Sequence, residues 1–226
     1  MINIDNISFK YDDKYIYEGF SLKLYKGNRY AIFANNGVGK TTLLNLISGN
    51  LRVNSGKIES SSDDVMLIES PNIPFKFLSG MKFIKTTLEL KNLVITDDSI
   101  IETAEILGLK KEDLINKNLE SYSKGMTFKV LMIIALKANP DILLLDEPFS
   151  ELDLQSNEIL SDIFSKNKRQ TFVFSTHVIE IAQRYATHLI LIDDNGKLVG
   201  VTELGEGMTP EEIQSHINTS FNEEKE

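Results

Sequence analysis

The sequence predicts an α/β fold built on a mostly parallel sheet, and three observations predict it. Short runs of consecutive apolar residues, typical of strands buried on both faces, alternate with stretches of helical spacing. A glycine-rich turn stands directly between one such strand and one such helix. The first ~30 residues instead alternate apolar and polar, the mark of antiparallel strands with one face in water.

Taken in order, Ile2, Ile4 and Ile7, then Phe20, Leu22 and Leu24, outline an N-terminal antiparallel β subdomain. Tyr30-Ala-Ile-Phe33 is a short buried strand. The glycine loop follows, and Thr41–Ser48 carries apolar residues at helical spacing until Gly49 stops it. Residues from about 71 to 138 read mainly as helices, Ser99–Leu107 and Met126–Ala138 among them, and form an inserted helical subdomain. Asn139-Pro140 ends the last of these. Ile142–Leu145, Thr171–Ser175 and His188–Ile192 are buried strands. Thr209-Pro-Glu-Glu212 offers a threonine cap, proline first and glutamate third, which is how a helix starts. With no internal repeat or low-complexity linker, residues 1–226 read as one domain with an acidic tail from about 203.

Composition narrows the function classes. The net charge of −9 is concentrated in that tail, where seven glutamates face one lysine. No basic face offers itself to a nucleic-acid backbone. The absence of cysteine excludes disulfides and thiolate metal sites. Polar residues interrupt Met1–Lys10, so no signal peptide is expected there. The longest apolar runs, Val130–Leu136 and Ile142–Leu145, are too short to span a bilayer. Any work at a membrane therefore calls for a separate spanning chain.

The chemistry begins at Phe33-Ala-Asn-Asn-Gly-Val-Gly-Lys-Thr-Thr42. Between a strand and a helix, this is a phosphate-binding loop, and the fold is that of a P-loop NTPase. Asn35, Asn36, Gly37, Val38 and Gly39 form a cradle whose backbone N–H groups turn toward phosphate oxygens. Lys40 brings a positive charge to the β- and γ-phosphates, Thr41 a hydroxyl for Mg²⁺, and Thr42 continues the helix start, whose positive end faces the anion. Ala34 stands where the usual pattern opens with glycine. If a positive φ is needed there, alanine costs roughly 1–2 kcal/mol.

Ile142-Leu-Leu-Leu-Asp-Glu-Pro148 supplies the other half of the site. Four buried residues lead to two carboxylates at the carboxyl edge of the sheet, where ligands of open α/β folds bind. Asp146 is expected to hold Mg²⁺, directly or through water. Glu147 is expected to orient and polarise the attacking water, a role worth about 10²–10⁴-fold in rate. His177, at the end of Phe172-Val-Phe-Ser-Thr-His177, is placed to contact the γ-phosphate region, although a lone histidine is more often structural. His188 and His216 lack such a setting and read as structural or surface residues.

Tyr122-Ser-Lys-Gly-Met126 decides among the phosphate-loop families. Its serine stands 23 residues before Asp146 and opens the apolar helix. Here the chain resembles the ATP-binding cassette (ABC) family, whose signature is Leu-Ser-Gly-Gly-Gln. Ser123 and Gly125 match; Lys124 and Met126 depart, in a manner familiar from bacterial drug- and peptide-export cassettes. The resemblance spans roughly residues 2–200. It implies that Ser123, Lys124, Gly125 and Met126 bind the γ-phosphate of ATP held by a partner subunit. It also implies that Tyr11 stacks on adenine, the other reading being an ordinary strand or turn tyrosine. Asp153 of Ser150-Glu-Leu-Asp153 is matched to the loop that crosses the dimer interface, and also reads as a helix cap. Glu69 stands where the family carries a metal-touching glutamine, and its carboxylate could still ligate Mg²⁺.

The wording Leu67-Ile-Glu-Ser-Pro71 with Leu78-Ser-Gly80 is similar to cassettes of bacitracin and lantibiotic self-protection exporters. The resemblance thus implies an ATPase using ATP and Mg²⁺, paired with itself or a close relative. It would power a separate transmembrane permease from the cytoplasmic face of the membrane, exporting peptides or antimicrobial compounds. The alternatives are a soluble non-transport cassette ATPase and an ATP-binding subunit with little hydrolysis.

Overall fold

A computed structural model describes residues 1–69, 73–150, 152–205 and 207–223. In chain order the elements are β1 (Ile2–Tyr11), β2 (Lys14–Leu24), β3 (Arg29–Phe33), α1 (Lys40–Ser48), β4 (Ser55–Ser60), β5 (Val65–Ile68), α2 (Gly80–Leu90), α3 (Asp97–Ile106), α4 (Lys111–Asn116), α5 (Lys124–Ala138), β6 (Ile142–Leu145), α6 (Leu154–Lys166), β7 (Thr171–Thr176), α7 (Ile179–Tyr185), β8 (His188–Ile192), β9 (Leu198–Glu203) and α8 (Pro210–Glu223). Two units emerge: Met1–Leu67 with Asp141–Glu147 and the chain from Asn167 onward, and Ile68–Pro140 with Pro148–Lys166.

The first unit holds both sheets. One is three-stranded and antiparallel, in the order β2-β1-β4. Its inward residues Ile2, Ile4, Ile7, Phe20, Leu22 and Leu24 share one core with Leu43, Leu44 and Ile47 of α1 and Ile142, Leu144, Val173 and Ile190 of the larger sheet. The larger sheet runs β5-β6-β7-β3-β8-β9. β6 is parallel to β7, β3 to both β7 and β8, while β9 returns antiparallel to β8. Every residue of β6 and β7 is buried: β6 is wholly apolar, and in β7 the apolar run Phe172–Phe174 is flanked by buried hydroxyls at Thr171, Ser175 and Thr176.

That strand order positions the site. β6, β7 and β3 are neighbours and point the same way, so the segments leaving their carboxyl ends meet at one edge of the sheet. The phosphate loop leaves β3, the paired carboxylates leave β6, and His177 leaves β7.

The second unit is helical, from α2 through α6. Three of its helices, α2, α3 and α5, begin where short polar side chains satisfy free N–H groups. Ser79 accepts from Lys82 N at 3.4 Å, Thr96 from Ser99 N at 3.3 Å and Ser123 from Met126 N at 3.2 Å. The helix expected from Ser99 therefore starts at Asp97 and the one expected from Met126 starts at Lys124, each at its cap. Asn139 closes α5 in the left-handed conformation.

At α8 the expected start is realised: Thr209 N donates to Glu212 Oε2 at 2.8 Å, and Glu212 N returns a bond to Thr209 Oγ1 at 3.2 Å. The His216 side chain lies outside the described residues. His188 is half-buried against the Tyr30 ring, a structural position. Among the described residues, no helix is long and apolar enough to cross a membrane.

Candidate functional site

The loop leaving β3 needs residues that tolerate unusual backbone angles. Gly37 has φ of 84° and Gly39 of 121°. At Gly39 a Cβ would also lie 2.5 Å from Ile16 Cγ2 and 3.1 Å from the Tyr17 hydroxyl. Tyr17 is wholly buried in β2 and donates to the Gly39 carbonyl at 2.9 Å, gripping the loop from the antiparallel sheet. Burial without a charged partner pushes its hydroxyl pKa far up, so it stays a donor. No side chain caps α1, which leaves its first N–H groups for an anion.

Lys40 is 6% exposed, and its ammonium points back into the loop. It donates to Ala34 O at 3.0 Å, Asn35 O at 3.2 Å and Asn36 Oδ1 at 3.1 Å, and lies 3.6 Å from Glu147 Oε1. The Asn35 side chain turns away and donates to Asp194 at 2.8 Å. Val38 packs against the core, and Thr42 is buried under the loop. Ala34 is buried without a positive φ, so the conditional cost of alanine at this position is not incurred.

At the end of β6, each oxygen of Asp146 accepts from a different hydroxyl: Oδ2 from Thr41 at 2.7 Å and Oδ1 from Ser175 at 2.6 Å. Glu147 adopts φ of 46°, an uncommon angle for a residue with a Cβ. Its N–H donates to the same Ser175 hydroxyl at 2.8 Å, and its carboxylate lies 3.1 Å from His177 Nδ1. Asn36, Gly37, Gly39, Lys40, Thr41, Thr42, Asp146 and Glu147 line one cleft of about 280 Å³. Tyr11 is not part of this lining; it ends β1 half-exposed, its ring edge-on to Phe9.

The donor set fits a magnesium–triphosphate. Turned N–H groups, an uncapped helix start and a lysine suit the phosphates. Among the described residues no three His, Asp or Glu side chains gather to form a complete metal cage. Thr41 and Asp146 supply two adjacent oxygens, and Mg²⁺ commonly takes only one or two protein ligands when phosphates supply others.

The remaining expected residues belong to the second unit. Ser123, exposed, is the N-cap of α5; Lys124, Gly125 and Met126 form its first turn. Asp153 is a cap, as one of its two readings had it: Oδ1 accepts from Ser156 N at 2.8 Å. Its Oδ2 accepts from Lys129 Nζ at 3.0 Å. Those bonds, the backbone N–H first, hold its carboxyl down at about 2. Glu69 is exposed just after β5, while Ser70, Pro71 and Glu151 lie outside the described residues.

Three residues of consequence escaped the sequence reading: Tyr17, Lys129 and Ser175. Ser175 alone left a signal, a hydroxyl at the end of an apolar strand run.

The chain is similar to known proteins. The profile of a family described as ABC transporter matches residues 17–150. The ergothioneine transport ATP-binding protein EgtV of Helicobacter pylori is 31% identical over 208 residues, covering 85% of this chain and 97% of that protein. The petrobactin import ATP-binding protein YclP of Bacillus subtilis is 26% identical over 216 residues, covering 88% of this chain and 85% of that protein. In fold, the chain is similar to the ATP-binding cassette MJ0796, solved as a post-hydrolysis dimer with ADP and phosphate. There the TM-score is 0.77 at 20% identity, over 91% of this chain and 99% of that one.

Proposed function

The chain belongs to the ABC transporter family as an ATP-binding, ATP-hydrolysing subunit, and from that premise we propose that it powers a separate membrane permease through ATP-driven pairing of two cassettes. The observation that carries this reading is the continuous chain of bonds around the cleft. Thr41, Asp146, Ser175, Glu147 and His177 are linked in series, with Lys40 beside the last carboxylate. A metal-facing pair, a general base and a cation therefore share one rigid frame.

In this reading Lys40 and the N–H groups of the loop and of α1 hold the phosphates of ATP. Mg²⁺, when bound, would supply charge neutralisation at the phosphate oxygens. Thr41 and Asp146 are the side chains that would hold it, with Glu69 as the further ligand the family pattern suggests. Glu147 accepts a hydrogen bond from the attacking water and takes its proton as the new oxygen–phosphorus bond forms and the β–γ bridge breaks. His177 holds the Glu147 carboxylate in place.

Tyr11 is proposed to stack on adenine. Ser123, Lys124, Gly125 and Met126, at the start of α5, would receive the γ-phosphate bound to the partner cassette, which is the helix-terminus argument applied across an interface. Asp153 would lie beside that interface. ATP then favours the closed pair because only that form makes both sets of contacts. The pair is two copies of this chain or this chain with a close relative, at the cytoplasmic face of the membrane.

Export of peptides or antimicrobial compounds is supported by the wording around Glu69 and Leu78-Ser-Gly80. Import is the second reading, favoured by the likeness to a relative named for petrobactin import. Transport of a labelled antimicrobial peptide into or out of vesicles, in a membrane carrying the cognate permease, distinguishes the two. The hydrolytic assignment is tested by Glu147→Gln. We expect an ATP-stable dimer by gel filtration and hydrolysis reduced at least about 10²-fold. Hydrolysis at the wild-type rate would remove Glu147 from this role.

A further inference from the structure

We infer that Ser175 is a positioning residue for ATP hydrolysis, one hydroxyl that fixes both the metal-facing carboxylate and the backbone of the general base. The inference rests on the roles proposed above for Asp146 and Glu147.

Hydrogen-bond bookkeeping leaves one arrangement. A backbone N–H can only donate, so the Ser175 oxygen accepts from Glu147 N at 2.8 Å. The single hydroxyl proton is then free for Asp146 Oδ1, at 2.6 Å a short bond of the kind a carboxylate makes. Ser175 is 0% exposed, so water cannot readily replace it if the hydroxyl is lost.

The register explains why this residue is the one in place. β6 and β7 run parallel with Leu145 opposite Phe174, so the next residue along β7, Ser175, reaches the carboxylates just past β6. Two residues further on, His177 contacts the Glu147 carboxylate at 3.1 Å. The end of β7 thus holds Glu147 twice, by its backbone and by its side chain. That double hold matters because Glu147 has φ of 46°, a conformation that a residue with a Cβ keeps only where its surroundings enforce it. Thr41 bonds the other oxygen of Asp146, so the first turn of α1, Asp146, Ser175 and Glu147 form one connected line. The position of the base is tied to the position of the metal ligand.

Lys40 and the loop make no bond to Ser175, so losing the hydroxyl should spare nucleotide binding and damage the chemical step. For Ser175→Ala we expect kcat to fall about 10- to 100-fold, within the range general-base catalysis supplies, with KM for ATP changed less than about twofold. Ser175→Thr keeps the hydroxyl and should recover most of the rate. In a Glu147→Gln background, single-turnover hydrolysis should show little further loss on adding Ser175→Ala, because the two act as a unit. Circular dichroism and binding of a fluorescent ATP analogue check that each variant is folded. If Ser175→Ala does not fold, Ser175→Cys, with its weakly bonding thiol, takes its place with the same expectation.

Wild-type kcat in the folded variant, a defect confined to KM, or an undiminished loss in the Glu147→Gln background would each overturn the inference. Normal hydrolysis by Glu147→Gln alone would instead overturn the site reading beneath it.

Discussion

Replacing Ala34 with glycine separates two accounts of the phosphate loop. The family pattern places glycine here, and if the backbone needed a positive φ, Ala34→Gly would relieve strain and tighten ATP binding. The structure argues the reverse. Ala34 is 4% exposed and without a positive φ, and its carbonyl accepts from Lys40 at 3.0 Å. Glycine would add backbone freedom to the unfolded chain, a cost of roughly 0.5–1 kcal/mol. It would also remove a buried methyl, worth about 0.8 kcal/mol. The sum is about 1–2 kcal/mol of lost stability, or a melting temperature lower by roughly 3–6 °C for a chain of this size. Thermal unfolding followed by circular dichroism reads the first quantity. Titration with a fluorescent ATP analogue reads the second, and we expect affinity unchanged or slightly weaker. A variant that melts higher and binds ATP about tenfold more tightly would refute the reasoning and show that Ala34 is strained.

Two further outcomes follow from Tyr17 and from Asp153. Tyr17→Phe removes the donor to the Gly39 carbonyl and should cost about 1 kcal/mol; fluorescence titration is expected to show ATP binding weakened several-fold. The Asp153 carboxyl is depressed in the folded chain, to about 2, chiefly by the Ser156 N–H and then by Lys129. A depressed carboxyl contributes stability that is present above its ordinary range and is lost as pH falls from about 4 toward 2. The side chain is 60% exposed, so screening holds that contribution to about 1 kcal/mol or less. Denaturant melts should show Asp153→Asn flattening the stability profile across that window, and Lys129→Met doing so only partly.

The charged and glycine-bearing parts of the site were legible because chemistry restricts them to a few residue types at fixed spacing. Lys40, Asp146 and Glu147 could be placed because a strand precedes each and its carboxyl end faces the ligand edge. β3, β6, β7 and β8 were legible as apolar runs, whereas β5 and β9 of the same sheet were not named from the sequence. β4 was not: its residues Ser55–Ser60 include a single isoleucine and are otherwise exposed. It exists through backbone pairing with β1, from Ile2 opposite Ser60 to Ser8 opposite Ser55, and pairing of that kind leaves no mark in side-chain pattern. Tyr17 was hidden for a related reason. In the sequence it is one more aromatic in an amphipathic strand, and only the folded geometry carries its hydroxyl to a loop 22 residues away.

The strained Glu147 shows how the two kinds of information join. Its identity belongs to the motif, but its angle is set by neighbours distant in sequence: Ser175 on its N–H, His177 on its carboxylate and Lys40 3.6 Å away. The Lys40 ammonium is itself held by three neutral oxygens of its own loop, with the Glu147 carboxylate as its charged neighbour. The bonds of Lys40 within its loop and those of Ser175 to Asp146 and Glu147 therefore fix the cation and both carboxylates relative to one another.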